Sequence, residues 1–252
     1  MKINDVKILK NRKIAKDIYK MVVYSPAMAK ETKPGQFYEI KVSDTYDPIL
    51  RRPISIGLVE KDLLIFYYKV VGKGTGLMSK FEKDEFINIL GPLGETFPIN
   101  KDKNALIIGG GIGIAPLIYL SEYLKLNNNR VKFLAGFHSQ KDIYIEDLYS
   151  ILTPGDIKVF TDNGSTGMKG FPTDNLEEII GDYDIVYTCG PEIMMKRANK
   201  IATERNIPIF HSLEEIMGCG VGVCMGCAVD TVDGYKLVCK DGPVFNGRNL
   251  KW

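Results

Sequence analysis

Histidine is scarce in this sequence, with two residues in 252, and tryptophan occurs once. Neither His138 nor His211 sits in a Ser/His/Asp-type or Cys/His-type pattern. Acid–base or nucleophilic catalysis therefore has no base–orienter pair to place, and both histidines read as structural. Charge of one sign is also lacking: Lys+Arg 33 against Asp+Glu 31 leaves +2, too little to gather nucleic acid or an anionic membrane. Long hydrophobic runs are missing. The longest, Ala105 to Leu120, has 16 residues broken by four glycines and a proline, where a membrane-spanning helix wants about 20. Met1-Lys2-Ile3-Asn4-Asp5 carries no apolar signal core, so secretion is not expected. Five cysteines, an odd number with four of them between 219 and 239, do not make a whole-protein disulfide framework. They point to a reducing cytoplasm, where clustered thiols hold metal. What remains is 45% hydrophobic and 25% charged, an ordinary globular composition long enough for one large domain or two medium ones.

The first hundred residues read as six short strands, Val6–Ala15, Ile18–Tyr24, Gln36–Val42, Pro53–Leu58, Leu63–Val70 and Phe86–Leu90. Turns at Pro34-Gly35, Gly72-Lys73-Gly74 and Gly91-Pro92-Leu93-Gly94 separate them, which predicts an antiparallel barrel or sandwich. After Asn100 the rhythm changes to strands alternating with helices. Strands are expected at 105–109, 131–137, 157–161, 184–189 and 207–211. Helices are expected after the first glycines and at 141–152, 173–180 and 191–204, the pattern of a parallel sheet. The last forty residues are rich in cysteine and glycine.

Three of those cysteines follow C-x4-C-x2-C, Cys219, Cys224 and Cys227, with Cys239 after eleven intervening residues. This is the plant-type [2Fe-2S] spacing, in which a glycine-rich loop wraps the cluster and a distant cysteine closes it. Gly218, Gly220, Gly222 and Gly226 allow the tight turns that aim backbone N–H groups at sulfur. The rival, a structural zinc site, usually pairs two short knuckles rather than three close cysteines and one lone partner. Cys189, at a predicted strand end, reads by itself as a small buried hydrophobe.

Gly109-Gly110-Gly111-Ile112-Gly113-Ile114-Ala115-Pro116 follows a strand and opens a helix, the setting in which backbone N–H groups hold a pyrophosphate. It is not a strict G-x-G-x-x-G, and no ribose-binding carboxylate ends the next strand. A glycine-rich packing turn is the plain alternative. In the barrel, Arg52 offers a planar fork and Ser55 a hydroxyl to a phosphate, although by composition alone arginines near a strand start are mostly solvated. Gly74-Thr75 opens a short predicted helix that could do the same.

Pro34-Gly35-Gln36-Phe37, Arg52-Pro53-Ile54-Ser55, Gly72-Lys73-Gly74-Thr75, Gly91-Pro92-Leu93-Gly94, Gly109–Pro116 and Cys189-Gly190-Pro191 occur in one order along the chain. In that order they resemble the ferredoxin–NADP reductase superfamily over essentially the whole length. The tail from Ser212-Leu213-Glu214-Glu215 through Cys227, then Cys239-Lys240-Asp241-Gly242-Pro243, looks like the electron-transfer subunit of type B dihydroorotate dehydrogenase. Flavin subunits of ferredoxin-dependent NADP transhydrogenase and anaerobic sulfite reductase are similar. The transhydrogenase subunit has Asp at one cluster position, where this chain has all four cysteines.

The resemblance implies an α+β multidomain protein. Its parts would be an antiparallel β-barrel FAD domain at 1–99, an α/β parallel-sheet NAD domain at 100–211 and a small cysteine-rich [2Fe-2S] subdomain at 212–252. Arg52, Pro53, Ile54 and Ser55 would grip FAD, Arg52 at the pyrophosphate. Tyr67, Tyr68 and Lys69 would line its ribityl and isoalloxazine side, and Gly74 and Thr75 its phosphates. Gly109, Gly110, Gly111 and Gly113 would take NAD(H), with Cys189, Gly190 and Pro191 near the nicotinamide. Cys219, Cys224, Cys227 and Cys239 would ligate the cluster. No side chain is implied as an acid–base catalyst. The implied partner is an FMN-containing catalytic subunit that oxidises dihydroorotate in pyrimidine biosynthesis, in a cytoplasmic heterotetramer of two plus two. Electrons would run from it through [2Fe-2S] and FAD to NAD+. Two other readings stay open: a reductase subunit serving a ferredoxin or a sulfite-reducing subunit, and a zinc-stabilised interaction module on the same scaffold.

Overall fold

In a computed structural model that describes residues 2–252, the first six strands close into a barrel. They are β1 (Lys2–Ala15), β2 (Ile18–Tyr24), β3 (Phe37–Ile40), β4 (Arg52–Glu60), β5 (Leu63–Lys69) and β6 (Phe86–Leu93). Around the barrel the order is β1-β2-β5-β4-β3-β6, every pairing antiparallel. Two short helices, α1 (Pro26–Glu31) and α2 (Lys73–Met78), fill its connections. β5 departs from in–out alternation: Leu64 to Tyr68 are all buried, because one face fills the barrel and the other faces the second domain.

The second domain is a seven-stranded sheet. Its elements are β7 (Asn104–Gly110), α3 (Ala115–Leu126), β8 (Arg130–Phe137), α4 (Glu146–Ile151), β9 (Ile157–Thr161), β10 (Met168–Lys169), α5 (Leu176–Ile179), β11 (Ile185–Cys189), α6 (Glu192–Glu204) and β12 (Ile209–Ser212). The tail adds a hairpin, β13 (Ala228–Thr231) and β14 (Gly234–Leu237), and then β15 (Val244–Asn246). The sheet order β10-β9-β8-β7-β11-β12-β15 reverses direction between β7 and β11, so the crevice beyond their C-terminal ends is the switch point where ligands bind open α/β sheets. β7 and β11 are continuous apolar runs because helices cover both faces. α3, entered through Pro116, is buried nearly all round. It wedges between sheet and barrel, where the Tyr119 hydroxyl donates to the Thr32 carbonyl at 3.2 Å.

The expected helix over 141–152 shortens to Glu146–Ile151. Ile143 stays extended, and the buried Tyr144 sets its ring edge-on to Phe137 instead of continuing a helix. The helix expected over 173–180 is one turn, Leu176–Ile179. β10, two exposed residues at the sheet edge, has no apolar pattern to announce it. The tail is also less separate than a self-contained 212–252 unit would be. β15 pairs antiparallel with β12, and Phe37, Leu90 and Leu93 of the barrel share one core with Met217, Cys227, Leu237 and Cys239. The thiols and strand ends of the tail are too few to bury themselves, so they borrow barrel side chains.

The two histidines sit in different settings. His138 is exposed beside Asp162 at 3.1 Å. His211 is buried in β12, with Nε2 donating to Asn199 Oδ1 at 3.0 Å and Nδ1 accepting from the Thr188 hydroxyl at 2.6 Å. Burial pushes its pKa down from 6.5 to about 3. The unfolded chain therefore binds a proton that the folded chain refuses, and stability, full above pH 6.5, falls as the pH drops toward 3. Between pH 6.5 and 5 that amounts to about 2 kcal/mol. Urea unfolding at pH 7.5 and 5 should show this loss in the native chain and a shallower acid limb in His211→Gln.

Candidate functional site

A cavity of about 590 Å³ lies between the barrel, the glycine turn after β7 and the segment after β12. That volume is in the range of a cofactor cleft. From β4, Arg52, Pro53, Ile54 and Ser55 form one wall, and from β5, Tyr67, Tyr68 and Lys69 form the next. Thr75 closes one end, and Gly113, Pro116 and Cys189 line the opposite side. The sequence thus places residues from five separate segments around one space.

Arg52 is held rather than free. Its guanidinium donates to the carbonyls of Leu50 at 2.7 Å and Arg51 at 3.1 Å, and it packs on α2, where a Cβ at Gly74 would stand 2.2 Å from Nε. Gly74 therefore lets the fork lie flat beside the helix. Thr75 Oγ1 accepts from the N–H groups of Val71 at 3.0 Å and Gly72 at 3.3 Å, which fixes the loop before it. Arg51, by contrast, braces the barrel through the Glu39 and Asn88 carbonyls, both at 3.2 Å.

The tyrosine hydroxyls point away from the cavity, leaving the rings as its walls. Tyr68 donates to Asn11 Oδ1 at 2.9 Å, and Tyr67 donates to Asp147. Burial raises both phenols above their ordinary range, and the neighbouring Asp147 carboxylate raises Tyr67 further, so both stay neutral donors.

The glycines divide into two kinds. Gly109 and Gly110 are buried packing positions, where a Cβ would meet Ile114 at 2.7 Å and Pro191 at 2.6 Å. Gly111 takes φ +55° with open space beside it. Gly113 faces the other loop directly: a Cβ there would fall 2.6 Å from the backbone of Gly190, which itself has φ +146°. The two turns touch through bare backbone. Gly190 and its neighbour Pro191 continue past the first cavity, Gly190 lining a second cavity of about 450 Å³. Burial pushes the Cys189 thiol up to about 12, assisted by the Glu214 charge, so it faces the first cavity as a neutral thiol.

The four tail cysteines are all unbridged. Cys219 is hydrogen-bonded to Cys224 and Cys239 to Cys227, and Cys239 also feels Cys219. A two-iron cluster asks for two thiolates to each iron. Backbone donors converge on the sulfurs. Val221, Val223 and Cys224 N–H groups lie 3.4, 3.3 and 3.4 Å from Cys219 Sγ, and the Gly222 N–H lies 3.1 Å from Cys239 Sγ. Gly220 and Gly222, at φ +69° and +80°, turn the loop so that those groups point inward. Burial opposes the Cys219 thiolate, but the three N–H groups outweigh it and hold the thiol at about 6. Cys239 is pushed up to about 12 by burial and by Cys227, a repulsion that bound iron would relieve.

Sequence reasoning missed three features here. Leu213 to Met217, legible in the sequence only as the start of the cysteine-rich tail, form the cavity's far wall. Asp147 reaches the barrel from α4. Glu39, 1% exposed in β3, carries an Oε1 without a hydrogen-bond partner and abuts Gly220 of the cysteine loop. Burial pushes its carboxyl up to about 7 against the pull of Arg51.

Known proteins sharing this arrangement are consistent. Residues 214–251 match the model of the iron–sulfur cluster binding domain of dihydroorotate dehydrogenase B, and residues 107–200 match that of the oxidoreductase NAD-binding domain. The dihydroorotate dehydrogenase B (NAD(+)) electron transfer subunit of Clostridium acetobutylicum is 39% identical over 245 residues, 97% of this chain and 95% of that protein. Its counterpart in Bacillus mycoides is 40% identical over 248 residues, covering 94% of each. Among solved structures, an NADH-dependent reduced ferredoxin–NADP oxidoreductase superposes with TM-score 0.87 at 33% identity, over 98% of this chain and 90% of that one. A ferredoxin–NADP+ reductase from Neisseria gonorrhoeae, 16% identical with TM-score 0.69 over 81% of this chain and 92% of its own, shares the fold. With identity near 40% sustained over almost its full length, the chain belongs to the family of dihydroorotate dehydrogenase B electron transfer subunits.

Proposed function

We propose that this chain passes electrons between NAD(H) and an FMN-containing catalytic subunit that oxidises dihydroorotate. FAD is held in the barrel cavity and a [2Fe-2S] cluster by Cys219, Cys224, Cys227 and Cys239. One observation carries the reading: Phe37 and Met217 belong both to the cavity wall and to the core around Cys227 and Cys239. The proposed flavin and cluster sites thus border one contiguous core, which favours direct electron transfer between them over a mobile carrier. When bound, FAD exchanges electron pairs with NAD(H) and single electrons with the cluster.

The chain's own part is positioning. Arg52 faces the FAD pyrophosphate with Ser55 beside it, Pro53 and Ile54 shape that wall, and Gly74 and Thr75 sit at the phosphates. The rings of Tyr67 and Tyr68 and the Lys69 stem border the ribityl and isoalloxazine side. Gly109, Gly110, Gly111 and Gly113 bring the dinucleotide in at the switch point, and Cys189, Gly190 and Pro191 lie at the nicotinamide. Exposed Cys224, flanked by exposed Val223 and Met225, marks the face presented to the catalytic subunit. We place the assembly, two copies of each subunit, in the cytoplasm. None of the described helices is long and apolar enough to cross a membrane.

The test is an anaerobic visible spectrum with flavin and iron counted, before and after NADH. Flavin bands, long-wavelength iron–sulfur absorption and bleaching by NADH support the reading. Colourless protein containing zinc ends it. Dihydroorotate:NAD+ activity from the isolated chain would remove the need for a partner. The likeness to the NADH-dependent oxidoreductase favours a second reading, a reductase serving a ferredoxin, which ferredoxin reduction by the isolated chain would support.

Arg52→Ala should weaken FAD retention by roughly thirtyfold, about 2 kcal/mol for a charge-assisted contact. Flavin content after dialysis measures it, and wild-type content would remove Arg52 from the site.

A further inference from the structure

Asp147 stands at the joint between the two larger domains. From α4 it receives Lys20 Nζ on both carboxylate oxygens at 2.7 Å and the hydroxyl of Tyr67. Lys20 and Tyr67 are cross-strand partners on β2 and β5, and the ammonium lies 5.6 Å from the Tyr67 ring centroid. Among the described residues this is the one ion pair that crosses from barrel to sheet domain. It is also the best shielded, its side chains 15% and 21% exposed. Pairs at the open surface contribute little, whereas a shielded pair with a third hydrogen bond holds geometry.

Three residues earlier, Tyr144 packs its buried ring 5.7 Å from that of Tyr67 and donates its hydroxyl to the carbonyls of Gly111 and Ile112, both at 3.0 Å. The four-residue stretch from Tyr144 to Asp147 thus grips a wall of the FAD cavity at one end and the glycine turn at the other.

We propose that Asp147 is a positioning residue that, with Lys20 and Tyr144, fixes the glycine turn relative to Tyr67 and so sets how NAD(H) lies against FAD. This rests on the reading of Gly109–Pro116 as the dinucleotide turn. A displacement of about 1 Å at the reacting centre can cost a hundredfold in rate, so a loosened bracket acts on the limiting rate rather than on cofactor content.

The experiment is a double-mutant cycle of Lys20→Met, Asp147→Asn and the pair, in the holoprotein. It reads the rate of flavin bleaching at saturating NADH, the NADH concentration for half-maximal rate, flavin and iron content, and reduction by dithionite. Each single variant should bleach about tenfold more slowly with unchanged cofactor content and dithionite reduction. The pair should be no slower than either single variant, because both break one contact. Tyr144→Phe should chiefly raise the half-saturating NADH concentration. Wild-type limiting rates in both single variants, or losses that multiply in the pair, overturn the proposal. If native FAD is not bleached by NADH, the dinucleotide reading fails first and takes the bracket with it. If native FAD bleaches normally and the cycle is flat, only the bracket falls. Should Asp147→Asn lose FAD on purification, Lys20→Met and Tyr144→Phe decide the matter alone.

Discussion

Cys224→Ser should give a protein that keeps its FAD and loses its iron. Cys224 is the exposed member of the four and stands apart from the core that Cys227 and Cys239 share with Phe37, Leu237 and Val238. The change therefore removes a thiolate without opening a cavity. Serine's oxygen is shorter and harder than sulfur and a poor ligand for iron in this site. Cys219, left facing one iron alone, cannot retain it. Iron should fall to background and the long-wavelength absorption should vanish. The flavin-to-protein ratio should stay at the native value, and NADH should still bleach the flavin. Electron delivery to the catalytic subunit should drop to background, since the remaining site has no neighbour to receive single electrons. Cys239→Ser makes the useful contrast. That thiol is 3% exposed inside a core shared with the barrel, so the substitution should cost both iron and folding stability. Loss of FAD from Cys224→Ser would mean that the cluster loop and the cavity wall are one folding unit.

That contrast also marks what the sequence can and cannot tell. The cysteine ligands lie within a few residues of one another and their glycines impose the loop locally, so spacing alone is diagnostic. Ile18–Tyr24 and Ile157–Thr161 form strands over the expected residues because each is a short, β-branched or aromatic run bounded by turn residues. The region 141–152 reads as helical because its apolar spacing fits a helix. Tyr144, however, gains more by packing on Tyr67 and Phe137 than by one more helical turn, and no local pattern carries that partner. Glu39 is hidden for the same reason. A glutamate in a strand reads as a solvent-facing residue, and only the loop around Gly220, almost two hundred positions later, buries it. The Arg52 and Gly109–Pro116 motifs are legible as motifs, yet their meeting around one cavity depends on α3 wedging the sheet against the barrel.

Gly113→Ala tests that meeting most directly, and it should nearly abolish bleaching by NADH while leaving the colour of the protein unchanged. The added methyl would stand 2.6 Å from both the N and Cα of Gly190 and 2.7 Å from the carbonyl carbon of Cys189. All three are backbone atoms, so no side chain can swing aside to make room. Gly190 cannot yield easily, because at φ +146° it is already backed against the Gly110 backbone. The two turns must therefore part, which moves the proposed dinucleotide turn away from the residues at the nicotinamide. A separation on the scale of 1 Å predicts a fall of about a hundredfold in the limiting rate of flavin reduction. The barrel walls at Arg52 and Tyr68 and the cysteine loop lie outside this contact, so flavin, iron and reduction by dithionite should match the native protein. Stopped-flow bleaching at several NADH concentrations separates the outcomes. A large loss of limiting rate with native cofactor content means that the backbone contact between the two turns sets the geometry of electron exchange. An unchanged rate would mean that the dinucleotide approaches FAD by another path, and the glycine turn would return to being a packing device between β7 and α3.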